Sequence, residues 1–132
     1  MRTFRKRRAR HLQLGRRGET IACRLLHELG LTILARNYVG RNNEIDIVAR
    51  EDTQLCFVEV KTRHRAVHSR PAEAVGRAKQ RGIVRAAHRY LVELGRPRVP
   101  YRFDIVEVVL ANRRLQDLRY WPSAFTESDR HR

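Results

Sequence analysis

The amino-acid sequence predicts a mixed α/β domain in which a central sheet is flanked by helices. Apolar residues repeat with helical spacing near the N-terminus and again after residue 71. Strand-like alternation runs between these two stretches, and a further apolar run follows the second one at 101–110. The resulting order αβββαβ, with a short additional strand, indicates a mixed sheet with helices packed on it.

The first helix is predicted over 16–29. Its apolar stripe has i, i+3, i+4 spacing and consists of Ile21, Ala22, Leu25, Leu26 and Leu29. Gly30 stands where a helix C-terminal cap belongs. At about 100° per residue, Glu19 falls beside Leu26 at the edge of the stripe, so it does not lie on the opposite, solvent face.

Three strands are predicted next, over 31–36, 44–50 and 54–61. The second strand is expected to alternate, with one face made of Ile45, Ile47 and Ala49. Its other face then carries Glu44, Asp46 and Val48. The third strand is expected to place Cys56, Val58 and Val60 on one face. Its other face then carries Leu55, Phe57, Glu59 and Lys61, and the short connection at 52–53 predicts an antiparallel hairpin between the two strands.

The second half of the chain continues this pattern. A loop is expected over 62–70, and Pro71 is expected to begin a long helix that ends near Leu94. A strand follows over 101–110, with a shorter one near Leu115 and Leu118. We expect residues 1–14 to be a flexible basic arm, 15–125 to be the folded domain and 126–132 to be a disordered tail.

The chain is strongly basic, with a formal net charge of +15 from 29 basic and 14 acidic residues. Such an excess in a small chain indicates a polyanionic partner, most often nucleic acid. Residues 1–17 hold eight basic residues and no acidic one. Only three basic residues are Lys (Lys6, Lys61 and Lys79), so a Lys in this chain is a candidate for work that Arg cannot do.

Several classes of protein are disfavoured by composition. No apolar run approaches the ~18 residues that a transmembrane helix needs, and the basic N-terminus lacks the apolar stretch of a signal peptide. We therefore expect a cytoplasmic protein without a membrane partner. The two cysteines, Cys23 and Cys56, lie in apolar patterns, so neither a disulfide framework nor a Cys-x-x-Cys zinc site is expected.

Acidic residues and one Lys stand together in the predicted sheet. Asp46 lies in mid-strand, and Glu59 and Lys61 share one face of the neighbouring strand. Two neighbouring carboxylates repel unless one is protonated or a cation bridges them, and Mg²⁺ or Mn²⁺ suits carboxylate oxygens. A Lys beside such an ion could orient a water or stabilise charge on a phosphate. The alternative is an ordinary cross-strand salt bridge on a solvated face.

A longer set of residues is more specific. Asp46 followed by Glu59-Val60-Lys61 resembles the PD-(D/E)xK motif of restriction-endonuclease-like nucleases. Together, the segments 15–19, 43–48, 57–63, 79–81 and 102–106 resemble the YraN family, a group of bacterial proteins classed as predicted endonucleases. The resemblance runs from about residue 15 to residue 125. One departure is Asn43, where the family usually has Gly, although Asn tolerates left-handed backbone.

The resemblance implies a restriction-endonuclease-like αβββαβ core, similar to that of archaeal Holliday-junction resolvases. It implies Glu19, Asp46 and Glu59 as metal ligands, with the Val60 backbone as a further contact, and Lys61 as the catalytic lysine. Gln80 matches a helix position that can face the site in related nucleases. We expect a metal-dependent nuclease for structured or branched nucleic acid, with DNA favoured over RNA. A homodimer is the oligomeric state that the same analogy suggests.

The residues expected to contact the nucleic-acid backbone are all basic: Arg5, Lys6, Arg7, Arg8, Arg10, Arg16, Arg63, Arg77 and Arg81. Two alternatives stay open. One is a non-catalytic nucleic-acid-binding module on the same fold. The other is a basic interaction protein that uses residues 1–14 to join a repair or ribonucleoprotein complex. Asp104, in an otherwise apolar strand, is expected to pair with a nearby Arg.

Overall fold

The structure, a computed structural model, describes residues 2–4, 16–64 and 75–128, with side chains over 17–64 and 75–128. The described residues form one six-stranded sheet and two long helices. The helices are α1 (Arg16–Glu28) and α2 (Arg77–Glu93). The strands are β1 (Arg2–Phe4), β2 (Thr32–Gly40), β3 (Asn43–Glu51), β4 (Gln54–His64), β5 (Tyr101–Ala111) and β6 (Arg114–Phe125).

The sheet is mixed, in the order β1-β6-β5-β4-β3-β2. β4 and β5 are parallel and α2 lies between them in sequence, whereas every other neighbouring pair is antiparallel. The predicted α/β class, with helices packed on a mixed central sheet, is therefore confirmed. In the described part of the chain, neither helix is long and apolar enough to cross a membrane.

The two faces of the sheet carry separate cores. α1 packs on the first face, where its Ala22 and Leu26 meet strand residues such as Val58 and Val106. α2 packs on the second face, where Ile83 and Ala87 belong to one cluster with Phe57 and Phe103. β4 alternates between these cores as expected, because Cys56 and Val58 belong to the first cluster and Leu55 and Phe57 to the second.

Strand β3 departs from the expected alternation. Ile47 and Ala49 face α1, but Ile45 belongs to the α2 core together with Val48. The prediction that Ile45 shares a face with Ile47 is therefore wrong. The change of face occurs at Asp46, where the pairing between β3 and β4 ends.

Several boundaries also differ from the predictions. β2 continues to Gly40 and β4 to His64, so residues 62–64 of the loop expected over 62–70 are part of a strand. α2 begins at Arg77 rather than Pro71, because the backbone of Gly76 is extended at φ −62° and ψ 159°. Residues 65–74 lie outside the described part of the chain. β6 runs for 12 residues rather than forming a short strand.

Both ends of the predicted domain are extended by ordered residues. Arg2–Phe4 pair with β6 at Leu118 to Tyr120, so these three residues of the predicted flexible arm are a strand, while 5–15 lie outside the described residues. Glu127 accepts a hydrogen bond of 2.7 Å from the Tyr101 hydroxyl and pairs with His88. The predicted disordered tail is therefore ordered to Ser128, and 129–132 lie outside the described residues.

A buried polar network joins β5 to β6. Asp104 is fully buried and accepts hydrogen bonds from Arg102 Nε, from the Tyr120 hydroxyl at 2.6 Å and from the Ser123 backbone N–H at 2.9 Å. Burial raises the pKa of Asp104, and these hydrogen bonds and the Arg102 charge oppose the rise. The predicted pairing of Asp104 with an Arg is confirmed, and the network fixes the sheet on the far side of β4 from Asp46.

Candidate metal centre

Asp46 lies where β3 and β4 diverge. The antiparallel ladder between these strands runs from Glu51 and Gln54 to Ile47 and Val58 and then stops. At the next rung, the backbone N–H of Val60 donates to Asp46 Oδ2 at 2.8 Å. The carboxylate therefore takes the place of a backbone carbonyl in the gap between the strands. This hydrogen bond orients the Asp46 carboxylate against a donor that belongs to the backbone of β4.

Glu59 contributes a buried carboxylate next to Asp46. Glu59 is only 8% exposed, and among the described residues its Oε2 has no hydrogen-bond partner. Burial and then the Asp46 charge raise the pKa of Glu59 to about 8, against the opposing effect of the Lys79 and Lys61 charges. A buried acceptor without a donor is costly, so this oxygen is suited to bind a proton or a cation.

Glu19 reaches the same region from the first turn of α1. Its side chain is half-buried, and burial followed by the nearby charge of Asp46 raises its pKa, whereas a hydrogen bond with the Asn37 side chain lowers it. The neighbouring Gly18 makes this approach feasible, because a Cβ there would lie 2.4 Å from Thr62 Oγ1 on β4. The absence of a side chain at residue 18 thus lets α1 bring Glu19 close to the diverging strands.

The Gly18→Ala substitution is expected to destabilise the fold by about 1 kcal/mol, because overpacking at Thr62 outweighs the gain in helix propensity. Adding Thr62→Ala removes the clashing oxygen and should restore most of the loss. Gly76→Ala is the matched control, since nothing lies within 4 Å of a Cβ at that position. Urea unfolding of wild type and of the three variants measures their free energies of unfolding. An equal loss in Gly18→Ala and in the double variant would contradict the close-contact explanation.

Glu44 is a fourth acidic residue near the site, and it was not predicted as a site residue. One carboxylate oxygen from each of Glu19, Glu44 and Asp46 lies within 4.8 Å of the others, with Glu44 exposed. Its position two residues before Asp46 on β3 was a usable signal, because alternate residues of a strand share a face. Three oxygens at this spacing could bind one divalent cation.

Two lysines accompany the carboxylates. Lys61 is exposed and lies two residues beyond Glu59 on β4, and its charge lowers the pKa of Glu59. Lys79, in the first turn of α2, places its Nζ 3.7 Å from Glu59 Oε1. Lys79 was not predicted as a site residue, although the scarcity of Lys in this chain had singled it out.

The other predicted site residues occupy less direct positions. Gln80 is buried at the start of α2, and its side-chain Nε2 donates to the carbonyl of Val75 at 2.8 Å, which supports the segment before the helix. The Val60 backbone contacts Asp46 through its N–H. The structure thus brings Glu19, Asp46, Glu59, Val60 and Lys61 to one place and gives Gln80 a structural contact.

The predicted nucleic-acid contacts are dispersed. Arg5, Lys6, Arg7, Arg8 and Arg10 lie outside the described residues, and Arg16 begins α1 without a described side chain. Arg63 is largely buried, and its Nε lies 3.2 Å from a carboxylate oxygen of buried Glu107. Arg77 and Arg81 are exposed on α2. Of this set, Arg77 and Arg81 therefore offer exposed guanidinium groups in the described part of the chain.

Comparison with known proteins identifies the family. Residues 18–108 match the Uncharacterised protein family UPF0102, and this match includes all four acidic residues of the candidate metal centre. UPF0102 protein CT2262 of Chlorobaculum tepidum is 49% identical over 96 residues, which cover 73% of this chain and 74% of the relative. A UPF0102 protein of Syntrophotalea carbinolica is 48% identical over 117 residues, covering 86% and 92%. The resemblance found in the sequence is confirmed, and the chain belongs to the UPF0102 (YraN) family.

Proposed function

We propose that this protein is a metal-dependent nuclease that hydrolyses phosphodiester bonds in nucleic acid, with structured or branched DNA favoured over RNA. The observation that supports it most is the unpartnered Oε2 of buried Glu59, beside the fixed carboxylate of Asp46. The chain that carries this acidic site has a formal net charge of +15. A basic protein with a partly buried acidic cluster is suited to hold a cation against a polyanion.

The donor set fits Mg²⁺ or Mn²⁺. Every candidate ligand is a carboxylate oxygen, with the Val60 backbone adjacent, and hard divalent cations prefer oxygen ligands. The described residues of the site contribute no imidazole or thiolate to the cluster, which would have indicated zinc. When bound, such a cation would lower the pKa of a coordinated water and neutralise charge on a phosphate.

Each residue then has a distinct task in the proposed hydrolysis. Asp46 and Glu59 would hold the cation, and the Val60 N–H keeps Asp46 oriented. Glu19 and Glu44, whose carboxylate oxygens cluster with that of Asp46, would extend the ligand set. The Lys61 ammonium would orient the attacking water. Water adds across the P–O bond: its oxygen bonds to phosphorus, and a proton passes to the departing oxygen.

A cleavage assay tests the proposal. Wild type and Lys61→Ala are incubated with Mg²⁺ or Mn²⁺ and with labelled four-way junction, flap, nicked duplex, single-stranded DNA and RNA. We expect metal-dependent cutting by wild type, strongest on branched DNA, and a loss of about 10²-fold or more in the Lys61→Ala variant. Binding without cutting, unchanged by this substitution, would favour a non-catalytic nucleic-acid-binding protein.

The pKa of Glu59 makes metal binding depend on pH. Since folding raises this pKa from 4.5 to about 8, the folded metal-free protein retains a proton that the unfolded chain releases. The contribution of Glu59 to stability is thus present below about pH 4.5 and is lost as the pH rises through about 8. Divalent cations replace this proton, so stabilisation by Mn²⁺ should increase over the same pH range.

Thermal unfolding of wild type and Glu59→Gln, with and without Mn²⁺, measures this dependence at about pH 5.5 and about pH 8. Mn²⁺ should raise the melting temperature of wild type more at the higher pH than at the lower one. Without metal, the melting temperature of Glu59→Gln should depend less on pH than that of wild type. Added Mn²⁺ should raise it only weakly. Equal Mn²⁺ stabilisation of the two proteins at both pH values would exclude Glu59 as a ligand.

A further inference from the structure

Lys79 is the basic residue that the structure places directly against the buried carboxylate. Its Nζ lies 3.7 Å from Glu59 Oε1, and Glu59 is one of the four buried polar residues among those described. Two of the three lysines of the chain, Lys61 and Lys79, therefore act on this one carboxylate, as the pKa of Glu59 reflects. In a chain with 26 Arg, this concentration of Lys at one site calls for a physical reason.

The contact is a loose one. A separation of 3.7 Å is within ion-pair distance but too long for a hydrogen bond. The Lys79 side chain is 52% exposed, so its ammonium remains largely hydrated and can leave the carboxylate without a large desolvation change. The other oxygen of Glu59, Oε2, has no partner among the described residues. Lys79 thus neutralises Glu59 only in part.

Helix stability does not explain a Lys at this position. Lys79 lies in the first turn of α2, where the helix dipole disfavours cations, and that turn contains no acidic residue. The adjacent Gln80 is already engaged with the carbonyl of Val75. The position of Lys79 is therefore better explained by its contact across to β4 than by α2 itself.

We propose that Lys79 is a displaceable counter-cation, an ammonium that balances Glu59 in the metal-free protein and gives way when a divalent cation binds. This inference rests on the proposed function, because it requires a divalent cation at Glu59. The chemistry also accounts for Lys in place of Arg. A guanidinium would grip the carboxylate through two parallel hydrogen bonds and compete more strongly, whereas a hydrated ammonium is released more easily. Once released, Lys79 adds positive charge beside the bound nucleic-acid phosphate.

Two substitutions should move metal affinity in opposite directions. In Lys79→Met the competing charge is absent, so the dissociation constant for Mn²⁺ should fall by about fivefold. In Lys79→Arg the competitor is stronger, so the constant should rise by a similar factor. Arg85→Met, an exposed basic residue of the same helix, serves as the control for the loss of one surface charge and should leave the constant within about twofold.

Calorimetric titration of metal-free protein with Mn²⁺ measures these constants, and circular dichroism confirms that each variant is folded. Opposite shifts of the dissociation constant in Lys79→Met and Lys79→Arg support the proposal. If Lys79 were merely structural, both substitutions would weaken Mn²⁺ binding. Shifts of the same sign, or no shift beyond that of Arg85→Met, would overturn it. If wild type itself bound no Mn²⁺, the proposed function would fail together with this inference. If wild type bound Mn²⁺ and all variants matched it, only this inference would fail.

Discussion

The Asp46→Asn substitution is expected to reduce the proposed metal-dependent cleavage by about 10³-fold or more, because it removes the charge of a proposed metal ligand at the point where β3 and β4 diverge. Asn is nearly isosteric, and its side-chain oxygen can still accept the hydrogen bond from the Val60 N–H. The fold should therefore persist while the ligand charge is lost. Cleavage rates at saturating Mn²⁺ with a labelled four-way junction measure the effect.

Asp117→Asn is the matched control for this experiment. Asp117 lies on β6 and pairs with Arg119 at 2.9 Å, and the acidic cluster does not include it. Its substitution should leave cleavage within about twofold, because a partly exposed ion pair contributes little. Wild-type cleavage rates in a folded Asp46→Asn protein would contradict the assignment of Asp46 as a metal ligand.

The Asp104→Ala substitution is expected to cost about 3–5 kcal/mol of unfolding free energy. It leaves the largely buried Arg102 guanidinium without its nearest carboxylate, and it removes the acceptor for the Tyr120 hydroxyl and the Ser123 N–H. Glu93→Ala, which breaks an exposed pair with Arg89 and removes a side-chain contact with Tyr38, should cost no more than about 1–2 kcal/mol. Urea unfolding of both variants measures the difference.

A loss of this size can unfold a small domain, so Tyr120→Phe provides a milder test of the same network. It removes the hydroxyl that donates to Asp104 at 2.6 Å and should cost about 1–2 kcal/mol. If Asp104→Ala and Glu93→Ala cost the same, or if Tyr120→Phe is neutral, the network does not support the fold in the way described.

Much of the fold could be predicted because its signals are local. The stripe on α1 and the alternation along β4 depend on residues a few positions apart, and both appear in the structure with the expected faces. The end of α1 is equally local, since Gly30 adopts φ +93° where the helix stops. These patterns determine element type without knowledge of neighbouring elements.

The departures arise where one element depends on another. Ile45 changes face because Asp46 fills the gap where β4 leaves β3, and a single-strand pattern cannot indicate that divergence. Arg2–Phe4 look like part of a basic extension, yet they pair with β6, whose length was underestimated. Arg63 was predicted to contact nucleic acid, but the fold places the buried carboxylate of Glu107 beside its guanidinium group.

The candidate site shows the same division. Asp46, Glu59 and Lys61 follow from strand spacing and from the family motif, whereas the partners of Glu59 required three-dimensional placement. Lys79 is 20 residues from Glu59 in sequence and reaches it only because α2 packs on the face of the sheet that carries Phe57. Glu44 lies two residues from Asp46 on β3, but only the placement of α1 shows that it lies near Glu19.

The proposed nuclease depends on a divalent cation held by Asp46 and Glu59, and direct Mn²⁺ binding tests that dependence. Metal-free wild type and Asp46→Asn would be titrated with Mn²⁺ while the free ion is followed by its paramagnetic resonance signal. We predict saturable binding by wild type that is lost or weakened at least about tenfold in Asp46→Asn. An absence of saturable binding by wild type, or identical binding by the two proteins, would contradict the metal centre and the hydrolysis proposed from it.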